Sequence, residues 1–127
     1  MAHDILHPTW IDRTAYPFAA RTFHHPEGRM HYVDEGSGPV ILFVHGTPDW
    51  SFGFRHVIAA FAPTHRCIVP DHLGFGLSDK PHGANYTVAA HARRLQDLIA
   101  HLGLKDITLV VTDFGGAIDV QSRPGDG

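Results

Sequence analysis

Apolar and polar positions along the chain alternate between two periods, and that switching predicts most of its elements. Residues 1–21 keep no sustained period and are interrupted by Pro8 and Pro17, so the chain is expected to open with an irregular arm. From Arg29 to Asp34, Met30 and Tyr32 alternate with His31 and Val33, which suits a strand, and the Glu35-Gly36-Ser37-Gly38-Pro39 cluster then turns the chain in a hairpin-like reversal. Val40 to Val44 is wholly apolar and rich in β-branched residues, the mark of a strand covered on both faces. Cys67 to Val69 and Ile107 to Val111 repeat that pattern.

Between these runs the period lengthens. Phe54, Val57, Ile58 and Phe61 form a helical stripe within Trp50 to Ala62, and Pro63 closes it. Thr87 is placed to cap a second helix that turns Val88, Ala92, Leu95, Leu98, Ile99 and Leu102 inward. Arg93, Arg94, Gln96, Asp97 and His101 fall on its opposite face, and Gly103 suits its left-handed end. The resulting order is an initial strand or hairpin, then strand, helix, strand, helix, strand, turn, helix. It predicts an α/β fold with a mostly parallel sheet and helices on both faces. In such sheets ligands bind beyond the carboxyl ends of the strands. Three chemically loaded turns come directly after strand ends: His45 to Asp49, Asp71 to Gly76, and Thr112 to Gly116.

Composition narrows the field. At 127 residues one modest core is expected, and 43% apolar with 18% charged residues is ordinary for a globular chain. A net charge of −3 with scattered Lys and Arg gives no basic stripe, which argues against nucleic acid as a partner. No apolar run spans a bilayer and the start lacks an export pattern, so no membrane association is expected. Cys67 is alone, in keeping with a reducing compartment, and a cytoplasmic location is expected. Most of the 12 histidines are isolated or adjacent, as in His24-His25, rather than set four apart on a helix face with a carboxylate; no metal and no cofactor is expected.

The strand that runs into Asp113-Phe114-Gly115-Gly116 has the form of a nucleophile elbow. Gly115 and Gly116 let the backbone pass tightly, so that the acid projects at a helix N-terminus. Taken alone, an aspartate at a strand–helix junction is more simply a helix cap. What reverses that reading is His45-Gly46-Thr47-Pro48, directly after the first apolar strand and two strand–helix units earlier. A turn there can supply one main-chain N–H of an oxyanion hole, from Thr47, while Phe114 supplies the other. His45, Gly46 and Pro48 are read as bracing that turn, with His45 doing so by hydrogen bonding. Asp71 and Asp79, acids in a Gly-rich loop, are read as turn formers.

The stretches Gly28 to Gly36, Val44 to Phe52, Pro70 to Pro81 and Val110 to Gly116, in this order and spacing, resemble the haloalkane dehalogenase family of α/β-hydrolases. The resemblance spans roughly Tyr16 to Ile118. It implies the N-terminal part of an α/β-hydrolase fold with the cap domain and C-terminal strands absent: an arm over 1–21, a partial core over 22–118, and a non-family tail over 119–127. It also implies that Asp113 is a nucleophile displacing halide from a saturated carbon, with Thr47 and Phe114 stabilising the developing charge. A carboxylate with a pKa near ~3.9 is already ionised at neutral pH and attacks without a base. The product is an alkyl ester of Asp113, whose hydrolysis needs a histidine base and a second acid. The resemblance places these late in the full-length protein, beyond this chain.

The chain departs from the family at Phe114, where Trp is usual, at Thr47, where some relatives carry Asn, and after Ile118, where Pro124, Gly125 and Gly127 replace a helical stripe. The last departure leads us to expect a truncated chain, incomplete for turnover, with the Ile107 to Val111 strand left as an uncovered apolar edge. Halogenated alkanes are the expected substrates. An epoxide hydrolase-like enzyme and a non-catalytic fragment are the alternatives.

Overall fold

The computed structural model describes residues 10–46 and 49–112. Five strands, β1 (Arg21–His25), β2 (Gly28–Glu35), β3 (Val40–Val44), β4 (Arg66–Pro70) and β5 (Thr108–Val111), form one mixed sheet in the order β1-β2-β4-β3-β5. β1 pairs with β2, and β2 with β4, in antiparallel fashion; β3 is parallel to both β4 and β5. The carboxyl ends of β3, β4 and β5 therefore share one rim. Among the described residues, β5 pairs only with β3 and lies at the sheet edge.

Strand alternation sends side chains to two separate cores. Ile41, Phe43, Cys67, Val69 and Val33 face one side, packed with Phe54 and Ile58. Leu42, Val44 and Ile68 face the other, against Ala92 and Leu95. Helix α1 (Arg55–Phe61) covers the first face and α2 (Val88–Leu102) the second. Burying each such Val, Leu or Ile contributes roughly 1.5–3 kcal/mol, so both helices are held mainly by packing.

Local chemistry sets the element ends. Thr87 Oγ1 accepts a hydrogen bond from the Ala90 N–H at 3.2 Å, and Gly103 adopts φ 64° to end α2. The segment expected as one helix from Trp50 begins instead as a 3₁₀ turn, Ser51–Phe54, before α1 proper. Its Phe54 and Ile58 are buried, whereas Phe61, which the stripe places inward, is 42% exposed. The arm is irregular from residue 10 to residue 20, yet it inserts Ile11, Tyr16 and Phe18 into the first core.

Three features differ from the sequence pattern. β1 has no counterpart in it, because Arg-Thr-Phe-His-His shows no apolar alternation; only Phe23 of this strand is a buried apolar residue. It forms the tight hairpin with β2, in which His25 pairs with Gly28. The reversal at Glu35 to Pro39 does not make a hairpin of neighbours, since β4 lies between β2 and β3. Arg94, expected on the outer face of α2, is fully buried: Nη1 donates to Glu27 Oε1 at 2.6 Å, and Nη2 to the Asn85 carbonyl and His91 Nδ1. This guanidinium ties the hairpin turn and the 80s loop to the helix.

Because Glu27 is largely solvent-exposed while Arg94 is enclosed, the two halves of that ion pair contribute unequally. Arg94→Met, which removes the donors to the Asn85 carbonyl and to the buried His91 Nδ1, is expected to destabilise the fold by about 2 kcal/mol, whereas Glu27→Gln is expected to cost under about 1 kcal/mol. Urea unfolding of the two variants measures the difference.

Candidate active site

The rim is built from the segments that leave the carboxyl ends of the three parallel strands. After β3, the buried His45 donates from Nδ1 to the Gly46 carbonyl at 2.7 Å, and the Asp49 N–H donates to the same carbonyl at 3.0 Å. Asp49 Oδ1 in turn accepts from the Trp50 N–H at 2.8 Å. After β5, the Thr112 N–H donates to the Val44 carbonyl at 3.2 Å, so the parallel pairing holds up to the residue before Asp113. Asp113, Phe114, Gly115 and Gly116, and Thr47 and Pro48 of the turn, lie outside the described residues. The described structure thus supplies the two adjacent strand ends from which these residues leave, together with His45 and Gly46.

After β4 comes Asp71, whose carboxylate is fully buried. Oδ1 accepts from the Ser51 N–H at 2.6 Å; Oδ2 accepts from the Leu77 N–H at 3.1 Å and lies 2.9 Å from His31 Nδ1. Ser78 extends the set, donating from Oγ to the Asp71 carbonyl and accepting from the His31 N–H. Tyr16 Oη and Ser51 Oγ, 2.6 Å apart, tie the arm to the same point. Asp71 is therefore an anchor that joins β2, β4, the 3₁₀ turn and the Gly-rich loop. Gly76 is fitted to it: at φ 54°, an added Cβ would stand 2.6 Å from Asp71 Cγ. Asp79 plays a similar part nearer the surface, accepting from the Arg29 N–H and pairing with its guanidinium. Both acids have partners far along the chain, which the reading of them as simple turn formers does not include.

A row of imidazoles lies behind the turn. His45 and His72 are 4.3 Å apart between ring centroids, His72 and His91 5.1 Å, and Phe75 and Tyr86 pack against His91. Burial pushes the pKa of all three histidines down; that of His91, further depressed by Arg94, falls to about 4. The row is neutral at physiological pH. Among the described residues no group of three or more His, Cys, Asp and Glu is arranged to hold a metal, and no helix is long and apolar enough to cross a membrane. Phe75, Tyr86, Pro81 and Lys80 line part of an open hollow of about 500 Å³ on the neighbouring loop.

A buried carboxylate after β4, a braced turn after β3 and a parallel β5 leading to Asp-Phe-Gly-Gly agree with the family comparison. The α/β hydrolase fold family matches residues 39–119, and the chain belongs to that family. Within it, the chain is 47% identical over 109 residues to haloalkane dehalogenase 2 of Mycobacterium tuberculosis, covering 86% of this chain and 38% of that protein. It is 44% identical over 108 residues to cis-3-alkyl-4-alkyloxetan-2-one decarboxylase of Shewanella oneidensis, covering 83% of this chain and 34% of the relative. The structure also superimposes on an epoxide hydrolase from Vigna radiata with TM-score 0.74 and 31% identity, over 82% of this chain and 34% of that one. The chain thus spans little more than a third of the length of the relatives it matches.

The buried polar groups can be tested in two ways. Asp71→Asn replaces one acceptor oxygen with a donor facing N–H groups, and is expected to destabilise the fold by about 2 kcal/mol or more in urea unfolding. The histidine row makes stability depend on pH. Each ring binds protons more weakly folded than unfolded, so its stabilising contribution is complete above the ordinary imidazole value of 6.5 and is lost as pH falls; for His91 the loss runs down to about pH 4. His91→Asn keeps an acceptor for Arg94 and is expected to lower the slope of stability against pH in that window by about one proton. Thermal or urea unfolding between pH 4 and 7 checks it.

Proposed function

We propose that this chain carries the nucleophile half of a haloalkane dehalogenase-type hydrolase, with Asp113 attacking a saturated carbon. In this reading a carboxylate oxygen of Asp113 forms a bond to the substrate carbon as the carbon–halogen bond breaks. The halide leaves with the bonding pair, and an alkyl ester of Asp113 remains. No proton transfer is needed in that step. The main-chain N–H groups of Thr47 and Phe114 stabilise the charge, first on the leaving group and later on the ester carbonyl oxygen during hydrolysis. His45, Gly46 and Pro48 brace the first of these donors, and Gly115 and Gly116 make room for the elbow.

The observation that carries this reading is the parallel pairing of β3 and β5 up to Val44 and Thr112. It starts the His-Gly-Thr-Pro and Asp-Phe-Gly-Gly segments side by side, in a chain similar to relatives named as haloalkane dehalogenases. Turnover in the full-length protein further requires the histidine base and second acid that the resemblance places later. The second reading, opening of an epoxide by the same aspartate, is favoured by the likeness to the Vigna radiata epoxide hydrolase and by Phe114, which has no indole N–H to offer a halide. A strained cyclic ester is a third electrophile suited to the same nucleophile, in view of the decarboxylase relative.

Intact-mass measurement separates these readings. Incubation with 1-bromobutane is expected to add one butyl group, located at Asp113 by peptide mapping and absent in Asp113→Ala. An adduct only with 1,2-epoxybutane would transfer the assignment to epoxide opening. Unmodified protein with both reagents, or an identical adduct in the Ala variant, would overturn the role of Asp113.

A further inference from the structure

The open hollow beside the Gly-rich loop takes no part in the chemistry assigned to Asp113, yet it has a fixed wall and a fixed charge. Its volume of about 500 Å³ is within the range of small-molecule sites. Tyr86 forms one side. Its Oη donates to the Pro81 carbonyl at 2.6 Å, and its ring lies so close over Gly74, at φ 91°, that an added Cβ there would stand 2.7 Å from Tyr86 Cε1. Only glycine at position 74 leaves room for the ring in that place. Tyr86 is nevertheless 41% exposed, so much of the fixed ring stays open. Phe75 adds a second aromatic group to the lining, and both rings pack against the buried His91.

The charge is held as firmly. Lys80 Nζ donates to the Gly76 carbonyl at 2.7 Å and to the Ser78 carbonyl at 3.2 Å, which fixes an ammonium that would otherwise swing on a four-carbon stem. An ammonium has three N–H donors, and these carbonyls take two. The adjacent acid, Asp79, is bound by the main-chain N–H and guanidinium of Arg29, so Arg29, Asp79 and Lys80 together keep a surplus of one positive charge. No Asp or Glu is among the described residues that line this hollow. A second hollow of about 350 Å³, which shares the Pro81-His82-Gly83 bend, is lined by Glu27 instead, and the charge of Glu27 is matched by Arg94. In a chain of net charge −3, the first hollow is thus a local place for an anion.

A bare anion would gain little from one exposed lysine, and an uncharged apolar molecule would leave the third N–H of the ammonium to water. A flat carboxylate meets both halves of the surface, and an aromatic ring adds stacking beyond the area it covers. We propose that this hollow binds a small aromatic monocarboxylate, with its ring against Tyr86 and Phe75 and its carboxylate on Lys80. This site is separate from the reading of Asp113 and stands or falls without it.

Benzoate is the probe, with the whole 127-residue chain. An NMR titration is expected to shift the amides of Gly74, Phe75, Gly83 and Tyr86 with a Kd on the order of 1 mM, as suits so small a ligand. Benzyl alcohol, which keeps the ring without the charge, is expected to bind about tenfold more weakly, and benzylammonium to leave these amides unmoved. Lys80→Met is expected to weaken benzoate about tenfold, and Tyr86→Leu about fivefold. Benzoate shifts centred elsewhere, equal affinity for benzoate and benzyl alcohol, or wild-type benzoate affinity in Lys80→Met would each overturn the proposal. If Lys80→Met weakens benzyl alcohol as much as benzoate, the loop itself has changed, and the comparison of the three ligands on the wild-type chain decides.

Discussion

The Asp71 carboxylate is the constraint on which the rest of this structure depends. Sealed from solvent, it needs a donor at each oxygen, and it draws them from three separate parts of the chain: Ser51 at the start of the 3₁₀ turn, Leu77 in the Gly-rich loop, and His31 in the middle of β2. Each segment is therefore held against the end of β4. An unsatisfied carboxylate in this position would cost far more than any one of these bonds contributes, so the three segments fold onto it together. The placement of the turn after β3 is a result of this arrangement.

Around that anchor the polar interior forms a continuous layer. Tyr16 and Ser51 continue it toward the arm, Ser78 ties it to β2, and His72, the next residue after Asp71, carries it to His45 and on to His91 and Arg94. The layer lies at one rim, while the two apolar cores occupy the faces of the sheet. Apolar burial supplies the bulk of the stability; the polar layer supplies direction, because a hydrogen bond fails when its partner turns away.

Legibility in the sequence tracks the range of the forces involved. β3, β4, β5 and α2 can be read from apolar runs and caps, since these elements are set by their own residues, and β3 and β4 also by burial on both faces. β1 cannot, because an edge strand with one buried apolar side chain draws its stability from the backbone of its neighbour. Arg94 and Asp71 escape such a reading for a related reason: a charged side chain defaults to solvent or to a local turn unless its partners are known, and theirs include Glu27, His31 and Ser51, distant in sequence. At the site, the motifs give the residue types and the strand ends from which they leave. They give no sign that His72 reaches back to His45, since that contact exists only once β3 and β4 lie side by side.

The pairing of β5 with β3 brings Ile41 next to Thr108, with β4 and α2 lying between them in sequence. Such a contact closes a long loop and gains nothing until the intervening segments are in place. On a ribosome the hairpin of β1 and β2 emerges first and can pair at once, whereas β3 must wait for β5 with that side exposed. The order of synthesis therefore makes the joining of these two strands a late event in the maturation of the molecule, and leaves the half-built sheet dependent on helix α2 for its shelter in the interval.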